Sequence, residues 1–404
     1  MTIGNDDLDR AVLLHPLTYL ADGDEVTVGR RDIDSYAVLP ADGAALIRRL
    51  ADGLTPREAV DWYRETYGEQ VDILDMLGAL DELGFVQTPG ETDAATAEPV
   101  RWQRLGRSLF SVPAWFCYGL LTVVAFVVMI RTPDLVPHYR NLFFTSSFTM
   151  IELVTFLGQF PLLLVHEGFH ALAGRRLGLR SRLSIGRRLY FIVLETSLDG
   201  LVTVPRRQRI LPILAGMLAD VLVMAVLILA ADVTRAGDGT LSLFGRLCLA
   251  LSYGTLLRLI WQFYFYLRTD LFILLTTALG CVDLHTVAKG VLSNGFRRLT
   301  GRPVIDDSHW HPTDRRVARW YAWFMFAGYA TTIGTFVIVV LPIAYRFLTG
   351  VLGRFFAHGN TFGGLLDSGL FLVLNLAQIV VIAAMTIRDR RRRSTTTQFQ
   401  HVVG

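Results

Sequence analysis

The chain is predicted to be a mainly α, polytopic membrane protein with about six transmembrane helices and a small β-hairpin, preceded by a soluble α+β domain. Three observations carry this expectation. Hydrophobic residues fill 52% of the 404 positions and the mean hydropathy is +0.41, too apolar for a water-soluble fold of this length. The apolar residues gather in runs that reach the ~20 positions needed to cross ~30 Å of hydrocarbon. The cations are arginines apart from Lys289, and they cluster beside those runs, as in the loops of membrane proteins.

Residues 14–90 make up the soluble domain. HPLTYL, EVTVG and SYAVL are short strand-like runs divided by Asp-Gly and charged turns. ADGAALIRRLADG is a compact helix closed by glycine. Thr55-Pro56 opens a second helix, with Thr as N-cap and Pro at the first helical position. VDILDMLGALDELG carries its apolar residues at helical spacing and ends at Gly84, and FVQT is expected as a final strand. A polar, Pro-bearing linker leads on to the membrane (91–110).

The apolar segments are about 112–130, 148–172, 210–231, 243–266, 321–345 and 368–387. They divide the remaining chain into a membrane core (111–283), a cytoplasmic loop (284–320), two further spans (321–390) and a basic, polar tail (391–404). The 243–283 stretch has two readings: one long helix, or a span followed by a re-entrant or surface segment. Arg101, Arg104 and Arg107 precede the first span, Arg390 to Arg393 follow the last, and the 175–209 loop is rich in arginine. With both termini inside, six spans place every basic loop on the cytoplasmic face of a cell membrane, as the positive-inside rule requires.

Other classes find little support. The net charge of +3 is small and the first hundred residues are acidic, so no nucleic-acid partner is expected. Cys117, Cys248 and Cys281 lie far apart with no Cys-x-x-Cys pair, which points to packing rather than to disulfides or a thiolate zinc site. The first residues lack a basic start and an apolar run, so no cleavable signal peptide is expected.

Chemistry concentrates at the end of the second apolar run. There VHEGFHALAGRRLG holds His166-Glu167-Gly168-Phe169-His170, an HExxH sequence. Residues four apart on a helix share a face, so the two imidazoles converge on one metal ion. Glu167, about 100° round the helix, is placed to act as general base toward a water on that ion. A catalytic zinc needs a third protein ligand and an open position. Two histidines and a glutamate within an apolar helix are expensive without such a purpose.

This stretch resembles the zinc helix of the site-2 protease family of intramembrane metallopeptidases. AGMLADVLV (215–223) resembles that family's AGPxAN helix, and YLRTDLFILL (266–275) its Asp-bearing core helix. Met217, Asp220 and the Thr269-Asp270-Leu271 triplet depart from the usual residues, in the manner of the peptide zinc metalloprotease branch. The resemblance implies Zn2+ as cofactor, His166, His170 and Asp270 as its ligands and Glu167 as the catalytic residue. At the Asp220 position it implies a contact to substrate or to the oxyanion.

Asp270 is preferred as third ligand because it lies at the cytoplasmic end of the fourth span, with an interfacial ion pair to Arg268 as the alternative. Asp199, in SLDG, reads better as the turn of a hairpin between YFIVLET and LVTV. Asp220 and Arg258 each lie about ten residues into a span, ~15 Å deep, and are expected to pair. His309 and His311 read as surface residues, and His285 as structural.

By the same resemblance the 182–204 hairpin holds substrate as an added strand. It reads equally as a surface hairpin anchored by arginines. The N-terminal domain resembles the precursor-peptide recognition fold typified by pyrroloquinoline-quinone biosynthesis protein D, a winged-helix-like fold to which a leader peptide adds as a strand. The expectation is a zinc metalloendopeptidase of the bilayer, acting on a peptide or membrane-protein substrate in the maturation of a ribosomally made peptide. The competing reading is a non-catalytic scaffold, a peptide-export or immunity partner that keeps the metallopeptidase fold.

Overall fold

Short alternating strands and capped helices open the chain. In the computed structural model, which describes residues 8–87, 100–188, 191–308, 310–341 and 361–402 with isolated positions between, β1 (Thr18–Asp22), β2 (Glu25–Arg30) and β3 (Ser35–Pro40) pair as an antiparallel meander. Three helices follow, α1 (Ala41–Ala51), α2 (Pro56–Tyr67) and α3 (Ile73–Glu82). Their apolar faces meet the sheet in a core that includes Val28, Leu46, Ile47, Leu50, Leu77 and Phe85. Thr55 caps α2 as expected, exchanging hydrogen bonds with Glu58, and Gly68 closes it in the left-handed region.

FVQT does not become a strand. It makes a single bridge, Leu14 with Val86, closed by His15 N–H to Phe85 O (2.9 Å) and Gln87 N–H to Leu13 O (2.7 Å). Two bonds are too few for a ladder. The first part of the linker, residues 91–99, lies outside the described residues.

The chain divides into two compact units, one of residues 1–114, 167–184 and 195–215, the other of 115–166, 185–194 and 216–404. Helix α4 (Gln103–Leu109) falls within the stretch expected as linker, and after it come α5 (Val112–Arg131), α6 (Phe148–Arg176), β4 (Arg180–Arg188), β5 (Phe191–Asp199), α7 (Arg206–Val233), α8 (Leu243–Trp261), α9 (Asp270–Leu279), α10 (Leu284–Leu299), α11 (Pro312–Thr335) and α12 (Phe362–Val402). Among the described residues, six helices are long and apolar enough to cross a membrane: α5, α6, α7, α8, α11 and the apolar part of α12. The fold is therefore mainly helical, compatible with a multi-pass membrane protein.

Three boundaries differ from expectation. The fourth span stops at Trp261 and gives way to a 3-10 turn (Phe265–Leu267), so Asp270 begins a new helix instead of ending the old one. α9 and α10 then meet at 91°, a broken span or re-entrant pair, which turns most of the expected 284–320 loop into helix. α12 also runs on through the basic tail as far as Val402.

The hairpin turn is displaced as well. β4 and β5 pair as a two-stranded sheet, and Asp199 ends β5 while Gly200 (φ 81°) leads into a 3-10 turn. Residues 201–203 form that turn instead of the expected strand, and Pro205 follows without an N–H to donate.

Helix α6 is capped by a distant residue. The Asp367 carboxylate of α12 accepts from Ser147 Oγ (2.5 Å), Phe148 N–H (3.2 Å) and Thr149 N–H (3.1 Å). Three donors at the helix start are satisfied this way.

Candidate metal centre

Helix α6 carries Gln159, His166 and His170 seven and four residues apart, and helical geometry stacks them along one face. His166, Glu167 and His170 are all buried. Nitrogen atoms of His166 and His170 and a carboxylate oxygen of Asp270 lie within 4.8 Å of one another, the one such cluster among the described residues.

The backs of both rings are tied. His166 Nδ1 lies 3.0 Å from Asp220 Oδ2, and His170 Nδ1 lies 2.8 Å from the Pro212 carbonyl oxygen. A carbonyl oxygen only accepts, so the His170 proton sits on Nδ1. Asp220, paired with Arg258, accepts from His166 Nδ1 in the same way. An Nδ1 tied to an acceptor is the arrangement found where histidines bind a metal through Nε2.

The third group fits. His166 Nε2 and Asp270 Oδ2 are 3.4 Å apart. A proton on Nε2 or a cation between the two atoms would hold them at this distance. Bonds of about 2.0–2.2 Å from zinc to N and O at a tetrahedral angle separate the two ligand atoms by about 3.4 Å. The donor set, two nitrogens and one carboxylate oxygen, is one that zinc accepts while keeping a fourth position open.

Asp270 is positioned by the break that precedes it. Gln262 Oε1 accepts from the Asp270 N–H (3.0 Å), and the Gln262 carbonyl accepts from Thr269 Oγ1 (2.7 Å). From α11, Tyr321 donates to Phe265 O (3.1 Å) and Tyr329 to Tyr266 O (3.3 Å). Arg268 adopts φ 58°, a left-handed conformation that reverses the chain just before the ligand. At the first position of α9, the Asp270 carboxylate also gains from the helix dipole.

The expected Asp220–Arg258 pair is present. Arg258 Nη2 meets Asp220 Oδ1 at 2.6 Å, and Nε lies 3.1 and 3.2 Å from the two oxygens. Arg258 Nη1 also donates to Gln159 Oε1 (3.1 Å), whose amide donates to Leu251 O (2.7 Å). Asp220 is fully buried, with both oxygens engaged by Arg258 and His166.

The other acidic and histidine candidates stand apart from the cluster. Asp199 pairs with Arg182 (3.1 Å). His285 is buried beside the Phe272 ring, and His311 precedes α11. His309 lies outside the described residues. Thr196 Oγ1 of β5 donates to the Glu167 carbonyl (3.2 Å), which fixes the hairpin to the zinc-type helix at its acidic residue.

The sequence reading missed Pro212 O, Gln262 and the α11 tyrosines. Only Gln159 left a signal, as a polar residue two turns before His166 on the same face. Comparison with protein-family models, curated proteins and solved structures gives no match.

Proposed function

We propose that the chain is a membrane-embedded zinc metalloendopeptidase that hydrolyses a peptide bond, with its site facing the cytoplasm. One observation carries this reading: nitrogen atoms of His166 and His170 and a carboxylate oxygen of Asp270 lie within 4.8 Å of one another, with His166 Nε2 3.4 Å from Asp270 Oδ2, a spacing that suits a tetrahedral divalent cation. In this reading His166, His170 and Asp270 hold Zn2+, which when bound lowers the pKa of a water and polarises a carbonyl. Glu167 takes the proton of the attacking water on its carboxylate and passes it to the leaving amine. His166 and His170 are buried, which would limit the access of bulk water to their side of the site.

The resemblance to the site-2 protease family supports the same reading. The arginine-rich loops support a multi-pass cell-membrane location with both termini in the cytoplasm. The three-stranded meander of the N-terminal domain, with β1 and β3 at its edges, supports the winged-helix-like reading in which a leader peptide adds as a further strand. The hairpin at Glu167 would hold a peptide or membrane-protein substrate in the extended form that cleavage needs.

Purified wild-type protein is expected to carry one zinc per chain. His166→Ala loses it, and Glu167→Gln keeps it while new N-termini disappear when cells expressing the two proteins are compared by mass spectrometry. Glu167→Gln is expected to slow cleavage by about 10²–10⁴-fold. Full function in the Glu167→Gln strain would leave the scaffold reading, a peptide-export or immunity partner.

A further inference from the structure

We infer that Arg258 is a positioning residue for the metal centre, acting through Asp220 on His166. This rests on the zinc reading above. Asp220 sits in α7, His166 in α6 and Arg258 in α8, so the contact joins three helices. A carboxylate with a single contact could swing about its side-chain bond and present either oxygen. Here the guanidinium grips both oxygens of Asp220, at 3.1 and 3.2 Å from Nε and 2.6 Å from Nη2, which fixes the carboxylate plane and leaves Oδ2 aimed at His166 Nδ1.

Arg258 is itself held. Its Nη1 donates to Gln159 on α6, two turns before His166, and Gln159 is anchored to the α8 backbone at Leu251. The arginine therefore meets α6 twice, directly through Gln159 and indirectly through the carboxylate behind a ligand. Such a bracket sets both the tilt of the His166 ring and the direction of its Nε2. A lysine would supply the charge and not the planar fork.

An arginine buried only to balance Asp220 would affect folding and leave the ligand field alone. Zinc affinity, by competition with a chelator, and the visible spectrum of the Co2+-loaded protein separate the two roles. Arg258→Lys and Asp220→Asn are expected to weaken zinc binding by about 10–100-fold and to alter the Co2+ bands, while the zinc-free proteins unfold near the wild-type temperature. If Arg258→Ala does not fold, the double variant Asp220→Asn/Arg258→Gln removes both charges together and is expected to fold without regaining affinity.

Wild-type affinity and an unchanged Co2+ spectrum in Arg258→Lys and in the double variant would overturn the inference. If His166→Ala loses zinc while those variants do not, the zinc reading stands and only the role of Arg258 falls. If wild-type protein binds no zinc, or His166→Ala binds it normally, both fall together.

Discussion

The N-terminal domain and the helical region distribute polarity in opposite ways. The first hides Leu46, Ile47, Leu50 and Leu77 and leaves ion pairs such as Arg57–Asp9 and Arg64–Asp61 exposed. The second shows apolar side chains outward, such as Phe116 at 73% and Val112 at 83% exposure, and buries His166, Glu167, His170 and Asp220. The difference teaches what each solvent charges for. In water the burial of apolar area is the main source of stability. In hydrocarbon that term vanishes between helices, and polar contacts and close packing take over. A residue's value therefore depends on which region holds it.

The largest expected contrast comes from truncating apolar side chains in both regions. Leu77→Ala is expected to cost about 2–5 kcal/mol and to speed hydrogen exchange across α1, α2 and α3. Phe116→Ala, on an exposed face of a membrane-type helix, should leave exchange and thermal stability of the detergent-solubilised protein nearly unchanged. Equal losses at the two positions would break the comparison.

A smaller effect tests the polar side. Asp367→Ala strips the start of α6 of its acceptor and is expected to cost about 1–3 kcal/mol, read as faster exchange at residues 148–152. Asp367→Asn keeps an acceptor oxygen and should recover part of the loss. No change in either variant would mean that the helix start finds other acceptors.

The smallest is a pH effect confined to the soluble domain. The Tyr63 hydroxyl donates to the Asp42 carboxylate, which pushes the tyrosine up to about 12 and holds the carboxyl below its usual 3.8. The contact is fully present from the ordinary carboxylate value up to the ordinary tyrosine value of 10. Its contribution is lost as pH falls through the depressed Asp42 value and as pH rises from 10 through about 12. Fluorine NMR of a fluorotryptophan at Trp62, followed through denaturant titrations at several pH values, should show both losses, and Tyr63→Phe should flatten them.

What the sequence made legible were features whose cause is local. Thr55-Pro56 announces α2, Gly84 ends α3, and an apolar run of some twenty residues announces each membrane-type helix. The His166/His170 pair is equally local, since four residues of helix are enough to align two rings. Asp220 and Arg258 were legible as a pair because charges at depth need partners.

What stayed hidden depends on long-range geometry. A backbone carbonyl such as Pro212 O has no side-chain signature, yet it fixes the His170 tautomer. Gln262 reads as an ordinary polar residue, and only the chain reversal at Arg268 brings the Asp270 N–H back to it. The hairpin turn was misplaced because Asp-Gly is strong local turn chemistry, and strand length overruled it.

The cap on α6 has a consequence in time. Asp367 follows Thr149 by 218 residues, and at about 5–20 residues per second of synthesis the ribosome takes roughly 10–45 s to cover that distance. Throughout that interval the helix bearing both histidines lacks the acceptor that later caps its start. A late truncation or frameshift therefore strikes an element translated long before it, and such a lesion would surface as rapid turnover of newly inserted chains.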